Sequence, residues 1–349
     1  MNVHVNTHVR LKRRTLADLL AHPFEPREFI VEPWLRNGET ALIWAGSGVG
    51  KTMLTLSLAL AMAGGGQVWE WKCTKPRKVL IIDGEMHLQD LQERIKMLAA
   101  TAVQGLDMAQ AAANLSIIAR QDQSPDSTFY DVTDADHQQC ILKKCQDTEA
   151  EVLIIDNLST VADGLADEND ATAFRSVQAF MLKMKQAGIT AVLVHHARKD
   201  GAALRGSTAL ATTFEVILGL KKPKVRPQGR ACFVAVFDKF RAQGGTATSS
   251  RTWTLGDSGW AVEEDPEDEL NATLAAIQSL RFTKQKEVAE ALGITPGALT
   301  KRLQKLIAAG MISEDGVKEA LGKAQRLRTA EASAVDLDVD PKPEEDETY

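Results

Sequence analysis

Short, continuous apolar runs alternate along the chain with longer segments that have helical periodicity. Such runs, bounded by polar or turn residues, are typical of strands buried on both faces, whereas the longer segments indicate helices. The apolar runs lie at 39–44, 78–83, 115–119, 151–156, 189–194, 214–220 and 231–237. The helical segments lie at 15–20, 53–63, 87–100, 136–147 and 170–186. This alternation predicts an α/β fold with a mainly parallel sheet flanked by helices.

A glycine-rich loop follows the first strand and reads Ala45-Gly46-Ser47-Gly48-Val49-Gly50-Lys51-Thr52. Strand, loop and helix form the context of a phosphate-binding P-loop, with Ala45 at the position where a glycine is usual. We expect the backbone N–H groups of 46–50 to surround the phosphates of ATP. Lys51 is then expected to reach the β- and γ-phosphates and Thr52 to ligate Mg²⁺. The alternative, an incidental glycine turn, is disfavoured by the flanking strand and helix.

Three further polar residues follow buried strands: Glu85, Asp156 and His196. Ligands of parallel sheets bind beyond the carboxyl ends of the strands, so we expect these side chains to lie near Lys51. Asp156 is placed to hold Mg²⁺ through water, and Glu85 to orient or deprotonate the attacking water. The alternative for either acid is a role as a helix cap or turn residue.

The segment after 263 predicts a separate small domain. An acidic linker, 264–269, precedes helical patterns at 270–280, 284–292 and 296–309, with Thr295 as N-cap of the last. This spacing is typical of a helix-turn-helix, and we expect a wing hairpin over 311–327. Residues 281–328 contain ten basic and five acidic residues, which favours a phosphate-facing surface. The residues expected to contact duplex DNA are Thr300, Lys301 and Arg302; the alternative is a winged helix used for protein contacts only.

Charge and composition complete the division of the chain. The sequence predicts a basic arm (1–27), an ATPase domain (28–263), the linker, the winged helix-turn-helix (270–330) and a disordered acidic tail (331–349). From Asp336 onward the tail carries seven acids and one lysine, which equals the whole net charge of −6. No apolar stretch is long enough to span a membrane, so we expect a soluble, cytoplasmic protein. The four cysteines have no metal-ligand spacing.

Several short motifs carry a family resemblance. They are Pro33-Trp34-Leu35, Gly50-Lys51-Thr52, Asp83-Gly84-Glu85, Leu153-Ile154-Ile155-Asp156, Val194-His195-His196, Arg205-Gly206-Ser207 and Lys239-Phe240-Arg241. Over residues 28–262 the chain resembles the RecA-like ATPases and, among them, the plasmid RepA-type hexameric replicative helicases.

The resemblance implies roles for five residues. Glu85 would be catalytic, and His196, or less favourably His195, would sense the γ-phosphate. Lys239 and Arg241 would reach the nucleotide of a neighbouring subunit, where a guanidinium meets the charge that develops on phosphate oxygens. A surface salt bridge is the alternative for Arg241. A metal site at the two histidines is a weaker interpretation, because no carboxylate or cysteine lies at ligand spacing.

The resemblance also implies a homo-oligomer, expected to be a hexamer, with segments 157–169 and 197–206 facing a central channel. Arg198, Lys199 and Arg205 would there contact single-stranded DNA without reading its sequence. We therefore expect an ATP-dependent DNA motor of a plasmid or mobile element. The alternatives are an ATP-switched DNA-binding regulator or loader, and a nucleotide-dependent protein remodeller. A small-molecule kinase is disfavoured, since no lid or substrate-pocket motif is apparent.

Overall fold

The computed structural model of the protein describes residues 12–162, 174–197, 212–223, 229–240, 246–264 and 266–335. Its strands, in chain order, are β1 (Phe29–Val31), β2 (Leu35–Arg36), β3 (Thr40–Ala45), β4 (Gly66–Val68), β5 (Trp71–Cys73), β6 (Val79–Asp83), β7 (Leu115–Ala119), β8 (Val152–Asp156), β9 (Thr190–His196), β10 (Val216–Lys221), β11 (Ala231–Lys239), β12 (Arg251–Gly256) and β13 (Gly259–Glu264). Within the described residues, nine of these strands form one sheet, and β1–β2 and β4–β5 form two small hairpins.

The large sheet has a parallel centre and an antiparallel extension. Strands β7, β6, β8, β9, β3 and β10 pair in parallel in this order, and β11, β12 and β13 continue the sheet in antiparallel pairs beyond β10. The predicted mainly parallel sheet is confirmed, and β12 and β13 form an antiparallel hairpin at its end. Because the central strands are parallel, the loops after β3, β6, β8 and β9 meet at one edge of the sheet.

Helices cover both faces of the sheet. They are α2 (Lys51–Gly64), α3 (Leu88–Thr101), α4 (Met108–Asn114), α5 (Ala135–Asp147) and α6 (Phe174–Gln186), whereas the short helix α1 (Leu16–Ala21) buries no residue. Side chains of α2, α3 and α4 join the core on one face, and those of α5 and α6 join the core on the other. Alternate residues of one strand enter the two cores, as Ile43 and Leu42 of β3 show. Burial on both faces explains why these strands read as continuous apolar runs.

The chain beyond β13 folds as a helical unit with its own core. Its helices are α7 (Pro266–Gln278), α8 (Gln285–Ala291), α9 (Pro296–Ala308) and α10 (Glu314–Val335). Helix α7 begins within the predicted acidic linker, since proline and acidic residues favour the first turn of a helix. Helices α8 and α9 confirm the helix-turn-helix.

The expected wing hairpin over 311–327 is wrong, because helix α10 occupies most of that segment. The Ser313 side chain accepts a hydrogen bond from the Gly316 backbone N–H at 2.9 Å, which is the arrangement of an N-cap. The segment that follows is rich in Ala, Leu, Lys, Glu and Gln, which are strong helix formers. In the described part of the chain, no helix combines the length and the hydropathy that crossing a bilayer requires.

Candidate active site

The loop between β3 and α2 has the backbone of a phosphate cradle. Gly48 and Gly50 have φ angles of +69° and +124°, in the region that favours glycine. A Cβ atom at Gly50 would also lie 2.6 Å from the Cβ of Ala231 on β11, so the loop packs closely against that strand. Helix α2 begins directly after Gly50, which aims its first N–H groups and its positive end at the loop.

Lys51 is held over this loop, with 7% of its surface exposed. Its ammonium donates to the carbonyl oxygens of Ala45 and Gly46 at 3.2 and 3.1 Å, and it lies 3.2 Å from His196 Nδ1. Burial lowers the pKa of Lys51, whereas the nearby carboxylates of Asp156 and Glu85 act in the opposite direction. The expected association of Lys51 with His196 is therefore present in the structure.

Two carboxylates face each other on neighbouring strands, because Asp83 of β6 pairs in register with Asp156 of β8. Asp156 is 6% exposed, and burial together with the charge of Asp83 raises its pKa to about 7. The Thr52 hydroxyl donates a hydrogen bond to Asp156 and opposes that rise. Burial also raises the pKa of Asp83. This concentration of acidic groups beside Thr52 has the oxygen ligands that suit a divalent cation.

Asp83 also shapes the turn that carries Glu85. Its Oδ1 accepts hydrogen bonds from the backbone N–H groups of Glu85 and Met86 at 3.1 and 2.7 Å. Gly84 is required in this turn, since a Cβ atom there would lie 2.1 Å from the Thr160 hydroxyl oxygen. The motif Asp83-Gly84-Glu85 thus positions Glu85 at the carboxyl edge of the sheet.

Glu85 is further held by Asn157, a residue that sequence reasoning missed. Asn157 Nδ2 donates to Glu85 Oε2 at 2.5 Å, and Asn157 is only 1% exposed. Its Oδ1 is buried and has no hydrogen-bond partner among the described residues. In the sequence, only the position of Asn157 directly after Asp156 points to the site. An amide residue after a strand is too common to indicate that its side chain holds Glu85.

Lys51, Glu85, Asp156 and His196 line one cavity, together with two arginines that the sequence analysis did not single out. Arg94 of α3 and Arg230, directly before β11, both contribute to its wall. The Arg94 guanidinium lies 3.6 Å from the Met86 sulfur, and Arg230 pairs with the exposed Asp257 at 3.2 Å. The cavity therefore presents cationic groups from the P-loop, from α3 and from the start of β11.

The two adjacent histidines lie on opposite faces of β9. His196 lines the cavity, whereas His195 is fully buried and contacts the Phe174 ring edge to face, with 6.5 Å between ring centroids. In the described residues, no group of three or more His, Cys, Asp or Glu side chains is arranged to hold a metal ion by itself. A cation at this site would thus depend on ligands from a nucleotide or from water as well as on the protein.

Lys239 ends β11, where its ammonium donates to the Thr212 carbonyl oxygen at 3.3 Å. Its side chain is not among those that line this chain's own cavity. The predicted residues Arg198, Lys199, Arg205 and Arg241 lie outside the described residues.

The helix-turn-helix divides the three predicted DNA-contacting residues between two environments. Leu299, Leu303 and Leu306 bury one face of α9, and Thr300 and Lys301 are exposed. Arg302 is instead paired: its side chain is 15% exposed, and it pairs with Glu269 of α7 at 2.8 Å and with Glu264, the last residue of β13, at 3.9 Å. Gln304 and Lys305, which the sequence analysis did not select, share the exposed face with Thr300 and Lys301.

Comparison with known proteins gives two family matches. A family described as an AAA domain matches residues 6–202, and one described as a winged helix-turn-helix DNA-binding domain matches residues 274–313. The chain is similar to the crystal structure of a KaiC-like protein from the hyperthermophilic archaeon Pyrococcus horikoshii OT3, with 16% sequence identity and a TM-score of 0.46. That similarity covers 67% of this chain and 93% of the other chain. No curated protein matches the chain.

Proposed function

The chain belongs to the AAA domain family and has a RecA-like P-loop ATPase fold with a helix-turn-helix, and we propose that it is an ATP-hydrolysing, DNA-dependent motor. The observation that carries this proposal is the convergence of Lys51, Glu85, Asp156 and His196 on one cavity at the carboxyl edge of the sheet. We assign it to the class of hexameric replicative helicases and helicase-like ATPases of plasmids or mobile elements, on the resemblance of its motifs.

The proposed reaction transfers the γ-phosphoryl group of ATP to water. Glu85 accepts a proton as the water oxygen bonds to the γ-phosphorus, and the bond from phosphorus to the bridging oxygen of ADP breaks. Lys51 meets the negative charge on the β- and γ-phosphates, and the P-loop N–H groups hold these phosphates in place. Thr52 and Asp156 would hold Mg²⁺, directly and through water, and the ion would neutralise charge on the phosphate oxygens.

His196 is suited to sense the γ-phosphate because its ring already lies beside the Lys51 ammonium. When the γ-phosphate leaves, a change in the contacts of Lys51 would directly alter the contact between Lys51 and His196, which is part of strand β9. Lys239 and Arg241 are proposed to complete the cavity of a neighbouring subunit in a ring. The position of Lys239 outside its own cavity supports this assignment. Arg198, Lys199 and Arg205 are proposed to contact single-stranded DNA in the channel.

We propose that the chain divides into an ATPase domain, 28–263, and a helix-turn-helix domain, 270–330. Thr300 and Lys301 are proposed to face duplex DNA, joined by Gln304 and Lys305 on the same exposed face. Arg302 instead pairs with Glu269 of α7 within the helical unit, and α9 contacts the end of the ATPase sheet through the pair of Arg302 with Glu264.

The test is steady-state ATP hydrolysis by the full chain with and without single-stranded DNA, comparing Glu85→Gln with Glu93→Gln. Glu93 is an exposed residue of α3 whose side chain accepts a hydrogen bond from Gln89 at 3.1 Å, away from the cavity. Glu85→Gln should lower kcat by about a hundredfold or more, because the general base is lost, and Glu93→Gln should not. Turnover that is indifferent to DNA, or that survives Glu85→Gln, would contradict the proposal.

A second candidate is an ATP-switched DNA-binding regulator or loader. The ion pair of Arg302 with Glu264 at 3.9 Å favours it, because Glu264 is the last residue of β13 and the pair joins α9 to the ATPase sheet, which gives nucleotide binding a route to the DNA-binding face. Binding of duplex DNA whose affinity changes with ATP, combined with negligible DNA-stimulated hydrolysis, would favour this candidate over the motor.

A further inference from the structure

Strand β11 contains a β-bulge just before it ends. Its antiparallel pairing with β10 shifts by one residue, since Leu218 faces Phe237 whereas Ile217 faces Lys239. Asp238 is the residue left without a partner across the strands. Bulges bend and twist a strand and redirect the side chains that follow, and they occur frequently next to active sites. The bulge at Asp238 therefore sets the direction in which β11 presents Lys239.

The bulge is anchored to the strand that carries the P-loop. The Trp44 indole N–H donates to Asp238 Oδ2 at 2.7 Å, and Trp44, which is 2% exposed, lies one residue before the P-loop. A carboxylate acceptor makes this hydrogen bond stronger than a neutral one. The other carboxylate oxygen lies 3.5 Å from the ammonium of the half-exposed Lys221.

Glycine at position 219 makes this bridge possible. Strand β10 lies between β3 and β11, and Gly219 is the residue of β10 that pairs with Trp44. A Cβ atom there would lie 2.8 Å from the Trp44 ring and 2.9 Å from Asp238 Oδ2. The absence of a side chain thus opens a gap through which the indole reaches a carboxylate two strands away.

We propose that Asp238 is a positioning residue for ATP hydrolysis in the neighbouring subunit, where it acts through Lys239. Its bridge to Trp44 fixes the bulge and so the direction of Lys239, and it ties that direction to the P-loop strand of its own subunit. This inference rests on the proposed function, because it requires Lys239 to act on a neighbour's nucleotide.

The first experiment compares substitutions at the bridge in full-length protein. Asp238→Ala removes the acceptor and should lower kcat about tenfold, with KM for ATP within about twofold, because the loss of a charged hydrogen bond has an effect of this size. Asp238→Asn keeps an acceptor oxygen and should restore most of kcat. Gly219→Ala separates the two partners without altering either and should behave like Asp238→Ala. Lys221→Met, which removes only the exposed ion pair, serves as the control and should leave kcat unchanged.

The deciding experiment mixes subunits of the impaired Asp238→Ala variant with inactive Lys51→Ala subunits. A Lys51→Ala subunit cannot use its own site but still offers Lys239 to a neighbour. If Asp238 acts through Lys239, mixing Asp238→Ala with Lys51→Ala subunits restores ATP hydrolysis well above either variant alone. If Asp238 supports only its own P-loop, the mixture is no more active than the average of the two variants measured alone. Should Asp238→Ala fail to fold, Gly219→Ala takes its place in the mixture.

A mixture of Lys239→Ala with Lys51→Ala subunits tests the proposed action of Lys239 on a neighbouring site independently of the role of Asp238. Restored activity in this control, without restoration for Asp238→Ala, would overturn the role of Asp238 alone. No restoration in the control would instead refute the action of Lys239 on a neighbouring site, and the role of Asp238 would fail with it. Restoration in both mixtures would support the inference.

Discussion

Asn157→Ala should slow ATP hydrolysis strongly while leaving the protein almost as stable as before. The hydrogen bond from Asn157 Nδ2 to Glu85 Oε2, 2.5 Å long, holds the carboxylate that we assign as general base. A hydrogen bond to a charged group contributes about 1.5–3 kcal/mol. If that energy is lost from the positioning of Glu85 in the transition state, kcat falls by about ten- to a hundredfold.

The effect on folding should be small, because the substitution removes two opposing contributions. The Asn157 Oδ1 atom is buried without a partner among the described residues, at a cost of about 1–3 kcal/mol. Deleting the side chain removes this cost together with the favourable bond to Glu85. We therefore expect the free energy of unfolding to change by about 1 kcal/mol or less.

The assay is steady-state hydrolysis over a range of ATP concentrations, combined with thermal unfolding. Ser159→Ala is the matched control, since Ser159 lies in the same loop and its buried hydroxyl has no partner in the described part of the chain. The expected result is a large fall in kcat with KM nearly unchanged for Asn157→Ala, and no change for Ser159→Ala. An Asn157→Ala protein with normal kcat, or one that loses activity only because it unfolds, would refute the reasoning.

Three further predictions concern the same cavity and helix α9. The pKa of Asp156 is raised from 3.8 to about 7 in the folded protein, so between these pH values the folded protein holds a proton that the unfolded chain has released. The free energy of unfolding without nucleotide should therefore fall as the pH rises toward 7 and stay low above it. Asp156→Asn should therefore stabilise the nucleotide-free protein by on the order of 2–4 kcal/mol at pH 8 and much less at pH 5, as measured by denaturant unfolding. Gly50→Ala should weaken nucleotide binding in calorimetry by at least about tenfold, because the added Cβ clashes with β11 and the backbone has positive φ; unchanged binding would contradict the assigned geometry. Lys301→Ala should weaken duplex DNA binding and reduce the slope of log affinity against log salt concentration by about one. Arg302→Ala should alter that slope little, because the charge of Arg302 is paired with Glu269. Equal slopes for the two variants would count against the assignment of Lys301, and not Arg302, to the DNA-facing surface.

The sequence was sufficient for the central sheet and for most of the cavity. Strands such as 151–156 are buried on both faces and therefore read as continuous apolar runs. Such a run can be recognised in the sequence without knowing which strands lie beside it. The polar residue at the end of each run, such as Asp156, is then placed at the sheet edge by topology alone. Lys51, Glu85, Asp156 and His196 could be brought together on this basis.

Other features depend on contacts between distant parts of the chain, which local patterns do not encode. The contact of Asn157 with Glu85 joins two loops 72 residues apart. The ion pairs of Arg302 join α9 to Glu269 of α7 and to Glu264 of β13, and helical periodicity alone could not distinguish Arg302 from Lys301. Residues 311–327 do not form the expected hairpin because local helix propensity over 314–335 favours a helix, whereas the helix-turn-helix spacing had suggested a hairpin there.

The central claim is that each nucleotide site is completed by a neighbouring subunit and is driven by DNA. The most direct test is the specific ATPase activity of the wild-type chain and of Arg241→Ala across a protein dilution series, with and without single-stranded DNA. The account predicts that wild-type specific activity rises with protein concentration, rises further with DNA and collapses in Arg241→Ala. Specific activity that is the same at every protein concentration and unaffected by DNA or by Arg241→Ala would contradict it.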